Sequence, residues 1–181
     1  MKRLAILFAL AGSPALATGL EIDVAGQANG TIKVHLFDDV APQHVARIVE
    51  LANSDAYDNV VFHRVIDGFM AQTGDVQYGK AGGDLSQAGM GGSDLPDLPA
   101  EFSDRPFARG VVGMARSQDP NSANSQFFIM FADAPHLNSQ YTVVGEVTEG
   151  MDVVDAIKRG TGANGEVLES PDVMTDVRVT E

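Results

Sequence analysis

Apolar and polar positions alternate over residues 20–24 and again over 31–36, with the turn-rich run Gly26-Gln27-Ala28-Asn29-Gly30 between them. This is the pattern of a β-hairpin with one covered face. The rhythm then lengthens: behind Asp38, Asp39 and Pro42, a favoured first-turn residue, Val45, Ile48, Val49 and Ala52 recur at helical spacing. A helix is expected over about 42–54, with an apolar stripe that needs a sheet to cover it. Short β-rich segments follow at 60–66, 69–73, 110–115, 126–131 and 141–147, parted by glycine, proline and asparagine. A second helix is expected over about 151–159, where Val153, Val154 and Ile157 share a face, and 173–179 alternates as a last strand. The resulting set is about eight strands and two helices. Antiparallel strands this short and evenly spaced predict a mainly β fold, a closed eight-stranded antiparallel barrel that removes sheet edges and is capped by the two α-helices.

Within this pattern two stretches break the simple rule of apolar inside and polar outside. Successive strand residues point to opposite faces, so Met70 and Gln72 share one side, while Gln126 and Phe128 share a side opposite Phe127 and Ile129. Glutamines do not suit a closed core, and Met70 and Phe128 do not suit a solvated face. A ligand groove suits both, whereas Phe62, Phe127 and Ile129 read as core. The long irregular stretch over 74–99 carries six glycines between Gly79 and Gly92 but no Gly-Lys-Ser/Thr phosphate-loop signature. It is either a wall beside the groove or a plain surface excursion.

The chain has 181 residues, 44% of them hydrophobic, which suits one globular domain with a sizeable core. It opens on Met1-Lys2-Arg3, runs apolar through residues 4–11 and reaches Ser13-Pro14-Ala15-Leu16-Ala17, with small residues where a signal peptidase reads. Residues 1–17 are therefore expected to be a cleaved bacterial-type secretory leader, residues 18–181 the working domain, and the periplasm its location; a first strand or a membrane-surface helix is the alternative for 1–17. The apolar run is shorter than the roughly 20 residues a membrane span requires, so no membrane insertion is expected. With no cysteine there is no disulfide and no thiol chemistry, and a formal net charge of −13 argues against nucleic acid and anionic lipid as partners. The four histidines, His35, His44, His63 and His136, lack the close pairing of zinc ligands on one element, so no metal and no cofactor is expected. Neither Ser93 nor Ser125 sits in the turn of a serine hydrolase. His63 is read as a hydrogen-bonded structural residue, and nothing points to an obligate oligomer, so a monomer is expected.

Two long motifs then carry a resemblance. Residues 62–75 read Phe-His-Arg-x-Ile-x-Gly-Phe-Met-x-Gln-x-Gly-Asp, and residues 121–129 read Asn-Ser-x-x-Ser-Gln-Phe-Phe-Ile, followed by Leu137 and the strand over 141–147. In these motifs, and over about 20–180 as a whole, the chain resembles the cyclophilins, a family of peptidyl-prolyl cis/trans isomerases, and within it the exported bacterial branch. The resemblance implies an eight-stranded barrel with two helices and an active groove on its outer surface. It places the family's catalytic arginine at Arg64, beside Gln72, and its substrate-binding residues at Phe69, Met70, Ala115, Gln126, Phe128, Leu137 and Tyr141. Three positions depart from many eukaryotic members: Arg116 stands for asparagine, Tyr141 for a groove histidine and His136 for tryptophan. That tryptophan is a main cyclosporin contact in the family, so weak binding of the drug is expected here.

Such an activity needs little chemistry. Rotation about an X-Pro bond is slow because partial double-bond character must be lost, with a barrier of about 20 kcal/mol. No covalent bond breaks, so the catalyst must hold the proline ring and favour the twisted amide over both planar forms. Twisting returns a lone pair to the prolyl nitrogen, to which an arginine can donate while its planar fork also engages a positioning partner. In this reading Gln72 holds Arg64, the apolar residues form the ring pocket and Gln126 fixes the peptide backbone of a proline-containing polypeptide, with assistance to the folding of exported proteins as the role. The alternative is a proline-peptide-binding chaperone or assembly factor without essential turnover.

Overall fold

The first alternation forms strands β1 (Gly19–Ala25) and β2 (Gly30–Leu36), paired antiparallel with Ile22 opposite Ile32, both fully buried. The computed structural model describes residues 18–181 apart from Ala163 and Leu168; the expected leader, 1–17, lies outside the described residues. The turn is tied by Asn29 Nδ2 donating to the Gly26 carbonyl at 2.9 Å.

Helix α1 (Pro42–Asn53) starts on the predicted proline and buries Val45, Ile48, Leu51 and Ala52. Its start signal is not local. Ala41 offers no capping side chain, and the backbone N–H groups of Gln43 and His44 instead donate to the Glu101 carboxylate at 3.1 Å each, to Oε2. A negative charge there complements the helix dipole and satisfies two donors that no helix can satisfy internally. Partial burial pushes the Glu101 carboxyl up, but the combined hydrogen bonds from His44 and Gln43 prevail and hold it below its usual range.

The remaining strands are β3 (Val60–Val61), β4 (Arg64–Ile66), β5 (Met70–Thr73), β6 (Val111–Met114), β7 (Phe127–Met130), β8 (Val143–Glu149) and β9 (Val173–Thr180), with helix α2 (Met151–Ala156) before β9. They form one sheet in the order β3-β9-β1-β2-β8-β6-β7-β5-β4. This corrects the closed eight-stranded barrel: the nine strands make a curled half-barrel whose end strands, β3 and β4, bond to loop segments rather than to each other. The extra strand and the opening have one cause. A continuous strand over 60–66 would have joined β9 to β5; instead it breaks at Phe62 and His63, whose backbone groups bond to loop partners, Phe62 N to Asp172 O and Val167 N to His63 O, both at 2.9 Å. Each half is left with one strand partner, β3 with β9 and β4 with β5. Helix α2 also stops short of the expected Arg159. Gln27 Nε2 donates to the last helical carbonyl, that of Ala156, and Lys158 N turns away to Asp172 Oδ2 at 2.6 Å.

The alternation sorts the apolar residues into two clusters. One, with α1, α2 and the inward residues of β1 and β2, holds Val65, Ala71, Val112, Phe127, Ile129 and Val144; the other, on the opposite face, holds Met70, Val111, Phe128, Met130, Leu137 and Val143. Each strand of the β5–β8 region thus feeds both, and the second cluster floors the site.

Candidate active site

On β7, Phe127 and Phe128 part company. Phe127 packs edge-on to Tyr57 at 5.6 Å inside, while Phe128 stacks on Phe107 at 5.8 Å and meets Tyr141 edge-on at 5.8 Å outside. Gly113, on the neighbouring strand, makes that outer stack possible: a Cβ there would lie 2.6 Å from the Phe107 ring and 2.7 Å from that of Phe128.

Above Phe128 a cavity of about 170 Å³ is lined by Arg64, Phe69, Met70, Gln72, Ala115, Arg116, Phe128, Leu137 and Tyr141. The predicted site residues are all brought together here except Gln126, which lines an adjoining cavity of about 550 Å³. Gln72, Ala115 and Arg116 border both. Register explains the grouping. Arg64 stands opposite Gln72, and Gln72 opposite Phe128, across β4, β5 and β7, so three segments separated in sequence point to one place.

The polar side chains form a directed line. Arg64 donates through Nε to the Asn164 carbonyl at 2.9 Å and through Nη1 to Gln72 Oε1 at 3.1 Å. Gln72 Nε2 donates to Gln126 Oε1 at 2.9 Å, and Gln126 Nε2 to the carbonyls of Gly89 and Gly91 at 3.0 and 2.8 Å. Both amides are oriented from their ends, since a guanidinium can only donate and a carbonyl can only accept. The floor beneath is apolar, with Met70, Phe128 and Leu137 buried.

The place of Arg116 escaped the sequence, the state of His63 departs from it, and the loop over 74–99 takes one of its two expected forms. Arg116 borders both cavities; its guanidinium lies 4.4 Å over the Tyr141 ring and donates to the Gln140 and Ser117 carbonyls at 2.8 and 2.9 Å. Its place directly after Ala115 was the available signal. The stretch over 74–99 supplies a wall of the larger cavity through Gly89, Met90, Gly91, Gly92, Ser93 and Asp97, which decides between the two readings of that loop. His63 corrects an expectation: both ring nitrogens are buried and, among the described residues, find no hydrogen-bond partner. Burial pushes its imidazole down to about 4, with the Asp75 charge opposing and that of Arg64 reinforcing.

Comparison with known proteins adds three findings. The family model described as cyclophilin type peptidyl-prolyl cis-trans isomerase/CLD matches residues 20–179. A Brucella suis protein described as a probable peptidyl-prolyl cis-trans isomerase is 60% identical over 146 residues, covering 80% of this chain and 74% of its own; the Gallus gallus peptidyl-prolyl cis-trans isomerase-like 3 is 38% identical over 145 residues, covering 80% and 83%. The crystal structure of a Cryptosporidium parvum cyclophilin type isomerase shares the fold, with TM-score 0.76 at 23% identity over 92% of this chain and 99% of that one, and a structure of the same protein was obtained in the presence of the dipeptide Ala-Pro. The chain therefore belongs to the cyclophilin-type peptidyl-prolyl cis-trans isomerases and is an enzyme of that class.

Proposed function

We propose that the smaller cavity seats the proline ring of a polypeptide substrate and that Arg64 donates a hydrogen bond to the prolyl nitrogen as the amide leaves planarity. The observation carrying this reading is a guanidinium held at two points, by Asn164 O and Gln72 Oε1, beside a slot floored by Met70, Phe128 and Leu137. Among the described residues no acceptor engages Nη2 of Arg64, so a donor is left for substrate. Such a bond forms fully only in the twisted state and so lowers the barrier rather than merely tightening binding. Gln72 sets the fork, Gln126 and Tyr141 border the path of the peptide, and the apolar side chains exclude water from the ring. The Ala-Pro dipeptide present with the Cryptosporidium parvum relative accords with a proline-bearing substrate.

Arg64→Ala is expected to lower kcat/KM by at least about 100-fold in a protease-coupled assay on a proline-containing tetrapeptide, with the fold retained. Near-normal turnover would refute the assignment and favour simple peptide binding.

Removal of residues 1–17 and action on exported proteins in the periplasm form part of the same proposal, and a mature mass that does not start at Thr18 would count against it. Weak cyclosporin binding belongs to it too. His136 is exposed and stacks on Phe69 at 5.8 Å with 28° between rings, offering a smaller polar surface than an indole. His136→Trp should strengthen inhibition; equal inhibition of both forms would remove that role.

A further inference from the structure

We propose that Asp75 is a positioning residue for the isomerase, acting on Arg64 through the loop at Gly89 and Gly91. This rests on the role given to Arg64 above. Asp75 is fully buried, and its carboxylate collects four backbone donors: Oδ1 accepts from Gln77 and Tyr78 at 3.1 and 2.8 Å, and Oδ2 from Gly89 and Gly91 at 2.7 and 3.0 Å. Gly89 and Gly91 are the same two residues whose carbonyls anchor Gln126 Nε2. The carboxylate therefore holds by their N–H groups the residues that hold the glutamine by their oxygens.

From there the line runs Gln126 to Gln72 to Arg64, and at every link the donor points toward Asp75. A cation stands at one end and an anion at the other, so each bond is polarised in the same sense. The loop is shaped for this grip. A Cβ at Gly91 would lie 2.6 Å from Asp75 Oδ1 and 2.8 Å from Gln77 Cβ, and one at Gly89, where φ is +95°, would lie 3.0 Å from the His63 ring. Only residues without a side chain let the backbone approach the carboxylate this closely. Asparagine cannot substitute for it, because its amide NH₂ would face one of the two pairs of N–H donors.

A loop anchor with no part in turnover would lower stability or weaken substrate binding. A positioning residue would lower kcat. Asp75→Asn is expected to reduce kcat about tenfold with KM changed less than about twofold, because the apolar slot is untouched. In a double-mutant cycle, adding Asp75→Asn to Gln126→Ala should cause little further loss, since both break one line. Gly91→Ala, which presses on the carboxylate from the loop side, serves if Asp75→Asn does not fold, and should show the same loss in kcat.

Normal kcat in the folded variant, a loss confined to KM, or losses that multiply in the cycle would overturn the proposal. Arg64→Ala measured alongside separates the two ideas. If it stays active, the role of Arg64 falls; if it is inactive while Asp75→Asn turns over normally, only the role of Asp75 falls.

Discussion

The two faces of β7 carry similar residues under different conditions. Phe127 and Ile129 point into a cluster sealed by the curled sheet and by both helices, whereas Phe128 and Met130 point into one covered on only part of its surface. Phe127 is 1% exposed and Phe128 5%, so burial scarcely distinguishes them. What differs is the neighbourhood. Phe127 packs against the buried Tyr57 ring, while Phe128 borders a slot that Arg64 and Gln72 also border. One strand thus stabilises the fold with one face and shapes the site with the other.

The largest test of this contrast pairs two truncations. Phe127→Ala should lower unfolding free energy by about 3–5 kcal/mol in urea titration. Phe128→Ala should lose less stability, since its site opens to solvent and can partly rehydrate, but should lower kcat/KM more than tenfold. Equal activity in the two folded variants would erase the distinction.

A smaller effect concerns His63, buried under the loop that carries Gly89. Unfolded, its imidazole titrates near 6.5; folded, burial holds it down to about 4. As pH falls through that window the unfolded chain takes up a proton that the native one refuses, so stability drops with acidification. The loss should approach roughly 3 kcal/mol at the lower end. His63→Gln should flatten the decline between pH 6.5 and 4.5 in urea unfolding, and an unchanged slope would mean that another group drives it.

The smallest effect lies at a residue that lines neither cavity. Glu101→Gln weakens the cap on α1 and should lower stability by about 1 kcal/mol, with kcat/KM unchanged. A fall in activity would show that the helix end and the site are coupled.

Much of the site was legible because two local signals coincide there. Period-two alternation put Met70 and Gln72, then Gln126 and Phe128, on common faces, and the motifs over 62–75 and 121–129 named the polar residues among them. Asp75 stood at the end of the first motif without a role, because its partners at Gly89 and Gly91 lie 14 and 16 residues away in a segment with no periodicity. The sheet's openness was illegible for a similar reason. Nothing in the apolar pattern over 60–66 shows that Phe62 and His63 bond outside the ladder.

The hairpin, helix α1 and the two-faced character of β5 and β7 followed from the sequence by itself, since side-chain direction depends only on neighbours along the chain, whereas Arg64, Phe69, Ala115, Leu137 and Tyr141 came from the resemblance its motifs carry. Tertiary structure alone decided that the half-barrel stays open, that Glu101 caps a helix 58 residues before it, and that Gln126 hangs from a loop 37 residues upstream. Those outcomes depend on which buried donors and acceptors meet after the chain has packed, because an unpaired buried polar group is costly and most find a partner wherever the fold supplies one.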